Sequence, residues 1–167
     1  MTTLNPPQSI VIAINNINTT ETLLDKALIG SAQAGDTYII EGFGTCVSTA
    51  GNLSTFTVYL GTTGTINDAP IGMVPSVGGA STTNVGFYFR IMVTFRTVGS
   101  SGTVLVNGII SQTDITGGIT NTINAVSANY AVPTVATNVA NYLSVSYKSA
   151  AVTTTSSFQN ISIYRVK

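Results

Sequence analysis

Val85-Gly86-Phe87-Tyr88-Phe89-Arg90-Ile91-Met92-Val93-Thr94-Phe95-Arg96-Thr97 alternates between two kinds of side chain. Phe87, Phe89, Ile91, Val93 and Phe95 form one series. Tyr88, Arg90, Met92, Thr94 and Arg96 form the other. Successive strand residues point to opposite faces, so a period of two predicts a long strand with one face in an apolar core. A slip of one residue would move the three phenylalanines out of that core, which fixes the register strongly. Val98-Gly99-Ser100-Ser101-Gly102 reads as a turn into Thr103 to Gln112, completing an antiparallel hairpin.

The same period recurs on both sides of this hairpin. Ser9 to Ile17 aligns Ile10, Ile12 and Ile14. Thr37 to Val47 follows the turn signal Gly35-Asp36, with Tyr38 and Ile40 on one side and Ile39, Glu41 and Phe43 on the other. Phe56, Val58 and Leu60 alternate with Thr55, Thr57 and Tyr59 up to Gly61. Leu143, Val145 and Tyr147 alternate with Tyr142, Ser144, Ser146 and Lys148, and the last segment, Phe158 to Val166, points Ile161 and Ile163 together. Thr20 to Ile29 reads either as a helical turn, from the Glu21 and Asp25 spacing, or as an edge strand, since Thr20 and Thr22 dilute a helix. Ile66 to Asn84, with Pro70, Pro75 and Gly78-Gly79, predicts a long loop, and Asp114 to Ala128 a strand around Ile119 to Val126.

Seven to nine short strands with hardly any helix predict an all-β fold: a single antiparallel jelly-roll β-sandwich. Long strands with irregular connections, and no Trp, favour a jelly roll over an immunoglobulin-like sandwich. Residues 1–8 are expected to form an N-terminal arm and 9–167 one domain. A chain of this length buries roughly 69% of its unfolded surface, enough for one substantial core.

Composition narrows the function. Only 12 of 167 residues are charged, six basic and six acidic, and there is no His. Polarity rests on 27 Thr, 16 Ser and 14 Asn. A net charge of zero without a basic stripe offers no footprint for nucleic acid or an anionic membrane. No apolar run reaches membrane-spanning length, and residues 1–7 lack a signal-peptide pattern, so the chain is expected to act without secretion or anchoring of its own. Cys46 is the single cysteine and reads as a small apolar residue, because disulfides and metal sites need further ligands.

Acid–base catalysis usually recruits His or a contrasting carboxylate pair. Here the acids are scattered; Glu21 and Asp25 are the only near pair and read as a solvated face. A glycosidase using two of Asp36, Glu41, Asp68 and Asp114 is an alternative that sequence distance does not dismiss. No G-x-S-x-G elbow, calcium loop or phosphate-binding loop is present, so no cofactor and no metal are expected.

The outward series carries the functional expectation. Thr, Ser, Tyr and Met with few charges make a poor solvent-facing sheet and a good subunit contact, because buried hydroxyls cost little when hydrogen-bonded. Tyr88, Arg90, Met92, Thr94, Arg96, Tyr59 and Tyr142 are therefore the expected homo-oligomer interface. Outward tyrosines also suit sugar stacking, so Tyr59, Tyr142 and Tyr164 are the alternative, a glycan-binding set.

Three segments resemble small jelly-roll modules of bacteriophage structural proteins, notably tail-fibre and head-fibre domains. They are Thr20 to Leu24 followed by Ala34 to Thr45; Arg90 to Thr94 with its turn and Gly102-Thr103-Val104; and Asn141 to Ser146 with Ser156 to Arg165. Such modules are similar in architecture to tumour-necrosis-factor-like trimers. The resemblance implies a homotrimer, a virion location after assembly in the host cytoplasm, and contacts with other virion proteins. It carries over no active site and leaves a host surface glycan as a further partner. Fibre domains usually follow a long shaft, whereas only residues 1–8 precede the first strand here. That favours a separate subunit docked on a capsid or tail, such as a decoration protein or head fibre.

Overall fold

The computed structural model describes residues 2–3, 12–14, 20–48, 54–76, 81–113, 122–131, 136–149 and 155–166. Among these there is no helix. Eleven strands are present: β1 (Thr2–Thr3), β2 (Ile12–Ile14), β3 (Thr22–Gly30), β4 (Thr37–Ser48), β5 (Ser54–Gly61), β6 (Ala69–Ser76), β7 (Ser81–Thr97), β8 (Thr103–Thr113), β9 (Thr122–Ala131), β10 (Asn141–Lys148) and β11 (Thr155–Arg165). Every pairing is antiparallel.

The pairing is nested. β2 pairs with β11, β3 with β10, β4 with β7 and β5 with β6, and successive nested pairs alternate between two sheets. Pairings of β11 with β4 and of β10 with β5 then complete the sheets. A long two-stranded ribbon rolled so that alternate rungs fall in opposite sheets is a jelly roll. One sheet runs β1-β11-β4-β7-β8-β9, with β2 also on β11, and the other runs β3-β10-β5-β6. The β8–β9 hairpin extends the larger sheet beyond β7.

The inward residues of the β7 alternation are buried as expected, Phe89, Ile91, Val93 and Phe95 completely. Phe87, Phe89 and Phe158 of the larger sheet meet Phe56 and Tyr147 of the smaller one. Ring centroids lie 4.5 Å apart for Phe56–Phe89 and 4.8 Å for Tyr147–Phe158. The Tyr147 hydroxyl is buried beside Ser156 Oγ at 2.9 Å, which satisfies both. At the other flank the sheets approach through glycines. A Cβ on Gly108 of β8 would lie 2.4 Å from Val74 of β6, and one on Gly72 of β6 would lie 2.7 Å from Val106 of β8.

One open alternative is decided, one expectation changes and one strand shifts its start. Thr20 to Ile29 forms edge strand β3, with Leu24, Ala27 and Ile29 buried, not a helical turn. The expected loop over Ile66 to Asn84 contains edge strand β6 and the start of β7. Pro70 and Pro75 are tolerated because β6 is an edge, where one row of N–H groups needs no ladder partner. The strand expected around Ile119 to Val126 is β9, beginning at Thr122; residues 114–121 lie outside the described residues.

One irregularity shapes the outer surface. Asn160 has φ 48°, and between Gln159 and Ser162 β11 advances three residues while β4 advances two, from Phe43 to Glu41. This bulge inverts parity along β11. Phe158 and Ile161 both point inward, and Tyr164 is delivered to the outer face.

Candidate functional site

The expected interface residues divide between two opposite surfaces. Tyr88, Arg90, Met92, Thr94 and Arg96 lie together on the outer face of the larger sheet. Tyr59 and Tyr142 lie on the outer face of the smaller one, and Tyr164 returns to the larger. Neither the seven-residue interface set nor the three-residue glycan set is therefore one patch. The reason is topological: nested pairing sends β5 and β10 to the sheet opposite β7 and β11.

On the larger sheet, register builds the surface row by row. Phe43 pairs with Tyr88, Glu41 with Arg90, and Ile39 with Met92. Beyond β7, Arg90 pairs with Ile109 and Met92 with Asn107; on the other flank Ile39 pairs with Tyr164. Phe43, Tyr88, Met92 and Ile109 are 43%, 39%, 38% and 45% exposed, and the register sets them on one outer face around the Arg90–Glu41 pair. Thr94 sits beyond it, its hydroxyl 3.2 Å from that of Thr37, and Arg96 is exposed at the end of the strand.

The charges within this area neutralise one another. Tyr88 Oη donates to Glu41 Oε2 at 2.9 Å, and Tyr164 Oη donates to Oε1 at 2.8 Å. Arg90 Nε lies 3.8 Å from Oε2. Burial and then the Glu41 carboxylate push the Tyr88 phenol up to about 12. The same two causes raise Tyr164, against a smaller opposing pull from Arg90. Both hydroxyls therefore remain donors across the physiological range, and Glu41 is presented as a capped carboxylate rather than a bare charge.

The outer face of the smaller sheet is built differently. Glu21, just before β3, folds over it. Tyr59 Oη donates to Glu21 Oε1 at 2.6 Å, and Ser146 Oγ donates to the same oxygen. This corrects the reading of Glu21 and Asp25 as a solvated pair: Glu21 is anchored on β5 and β10, while Asp25 accepts from the Lys26 amide. Tyr59 is 6% exposed, so it offers no open stacking face, and burial followed by Glu21 pushes its phenol up to about 12. Tyr142 is partly exposed, with Lys26 Nζ 5.4 Å from its ring centre. Beside Glu21 and Tyr59 opens a cleft of ≈ 390 Å³, lined also by Thr55, Thr57, Met73 and Lys148.

The remaining carboxylates have local duties. Asp36 is buried, accepts from the Gln33 amide at 2.9 Å and pairs with Arg165, tying the turn before β4 to the end of β11. Asp68 gathers Thr63, Gly64 and Thr65; burial alone would raise its carboxyl, but these hydrogen bonds together hold it below its usual value. Asp36, Glu41 and Asp68 thus each serve a separate partner set, and Asp114 lies outside the described residues. Among the described residues no three of His, Cys, Asp and Glu group as metal ligands, and no helix is long and apolar enough to cross a membrane. Cys46 lies on β4 opposite Val85 and Ser156; its side chain is outside the described residues.

Phe43, Ile109 and Glu41 were absent from the expected interface. Phe43 and Glu41 were legible as the outward series of β4, but their convergence with Tyr88 required the β4–β7 register. No family model and no curated protein matches the chain. Among solved structures it is similar to a legume lectin-like domain from Entamoeba histolytica, at 10% identity and TM-score 0.36 over 96% of this chain and 89% of that one. It is also similar to a structure of infectious bursal disease virus, Gx strain, at 14% identity and TM-score 0.30 over 96% of this chain. There it spans 42% of the viral chain. The fold assignment rests on the chain's own strand pairing, and neither likeness bears on function.

Proposed function

We propose that the chain is a non-enzymatic structural subunit of a bacteriophage particle, a capsid decoration or head-fibre protein or a tail-associated subunit, acting as a homotrimer. Its contact surface is the outer face of the larger sheet. The observation that carries this reading is the exposure of Phe43, Tyr88, Met92 and Ile109 on one sheet face around the capped Glu41. A monomer normally protects such a sheet face with Lys and Glu. Here the central charges are already paired within one subunit, so desolvating the face leaves no lone carboxylate. A second copy of the chain suits it because another face of the same kind, its Glu41 likewise capped and paired with Arg90, brings no unmatched charge to the contact. The virion assignment rests on the three segments that resemble phage modules, and contacts with other virion proteins follow from it.

Light scattering coupled to size exclusion tests the assembly. A mass near three times 17.3 kDa supports it, and a mass of one chain removes it.

A further inference from the structure

We propose that the cleft on the outer face of the smaller sheet binds a neutral, hydroxyl-rich ring, a sugar, with Glu21 as its principal acceptor. This site lies on the sheet opposite the proposed contact surface and does not depend on it. At ≈ 390 Å³ the cleft falls within the range of small-molecule sites, about 300–1,000 Å³.

Its chemistry follows from the Glu21 carboxylate. Both donors, Tyr59 Oη and Ser146 Oγ, reach the same oxygen, Oε1. Among the described residues Oε2 receives no hydrogen bond. The carboxylate is thus held in place by the floor of the cleft while keeping acceptor capacity for a ligand, the preorganisation that lowers the cost of binding. Ser146 is fully buried, Thr57 is 7% exposed and Tyr59 6%, so this floor is set before any ligand arrives.

Charge selects the ligand class. Glu21 and exposed Lys148 both line the cleft, one acid and one base. An anion drawn to Lys148 is opposed by Glu21, and a cation drawn to Glu21 is opposed by Lys148, so neither sign gains from both groups. A neutral polyol donates to Glu21 and accepts from Lys148, with the Thr55 hydroxyl able to do either. Met73, 49% exposed, and Pro70 add an apolar wall for the C–H face of a ring.

Saturation-transfer NMR on the full chain tests this, with the methyl glycosides of glucose, galactose, mannose and N-acetylglucosamine as probes. We expect at least one to bind with Kd on the order of 1 mM. Glu21→Gln should weaken it about tenfold or more, and Lys148→Met several-fold with an unchanged melting temperature, since Lys148 is exposed. No binding by any of these glycosides overturns the proposal. So does binding that survives both substitutions, or preferential binding of inorganic phosphate or methylamine in the same cleft. Should Glu21→Gln fail to fold, Lys148→Met and Met73→Ala decide alone. Because the glycosides probe one sheet and the solution mass reports on the other, failure here leaves the assembly reading standing, and the reverse holds.

Discussion

Tyr164 reaches Glu41, 2.8 Å from hydroxyl to carboxylate, because one residue on its own strand breaks the alternation. Asn160, in the left-handed region, adds a residue to β11 opposite β4 and inverts the parity of everything after it. Without the bulge, Tyr164 would share the parity of Phe158 and point into the core. The bulge thereby supplies two features at once, an inward Ile161 and the second hydroxyl of the Glu41 cap.

Asn pays less than most residues for positive φ. Asn160→Ala should lower stability by about 1 kcal/mol, while Asn160→Gly should be close to neutral. Urea denaturation of the two variants measures the difference. Equal losses in both would show that the Asn160 side chain, rather than its backbone, matters.

The tyrosines give the fold a sign-defined response to alkali. Tyr59 and Tyr88 are pushed up to about 12, and Tyr164 is raised as well. Below about pH 10, the ordinary phenol value, folded and unfolded chains both keep these protons, and the stabilising contribution is complete. From there to about pH 12 the unfolded chain releases protons that the folded chain retains, so stability falls as pH rises. Chemical denaturation at stepped alkaline pH should show this decline. Glu41→Gln should bring the Tyr88 titration back toward its ordinary value, read from tyrosinate absorbance.

The two glycines between β6 and β8 let the sheets interlock. Gly108→Ala should cost about 1–3 kcal/mol by overpacking against Val74. Adding Val74→Ala should restore part of that loss, giving a favourable coupling in a double-mutant cycle. Strict additivity of the two substitutions would show that the sheets part without resistance.

Ser144 is fully buried on β10, and its hydroxyl finds no hydrogen-bond partner among the described residues. An unmet buried hydroxyl costs about 1–3 kcal/mol. Ser144→Ala should therefore leave stability unchanged or raise it, and a clear drop in melting temperature would reveal a partner for this group.

Much of this architecture was legible in the alternation. β4, β5, β7 and β10 follow from period two, because each sets one face in a core that rejects polar side chains, and β8 follows from the turn signal over residues 98–102. β6 was not, since Pro70 and Pro75 resemble loop residues until their edge position is known. β3 was ambiguous because its bulge against β10, between Val145 and Ser146, blurs the period. The outward residues of β7 were readable as a surface. Their neighbours Phe43 and Ile109, and the Glu41 cap, depend on cross-strand register, which local sequence does not encode. Glu21 was misread for a related reason: its partners, Tyr59 and Ser146, are 38 and 125 residues away.

The contact surface on the larger sheet is tested most directly by comparing the solution masses of the native chain and Met92→Glu in one light-scattering experiment. Met92 is half-exposed on the outer face of β7, so the substitution adds a charge there without opening the core. We expect a native mass near three times 17.3 kDa and a folded single chain for Met92→Glu. A native protein that is already a single chain, or a Met92→Glu variant that keeps the native mass, would contradict assembly through this face.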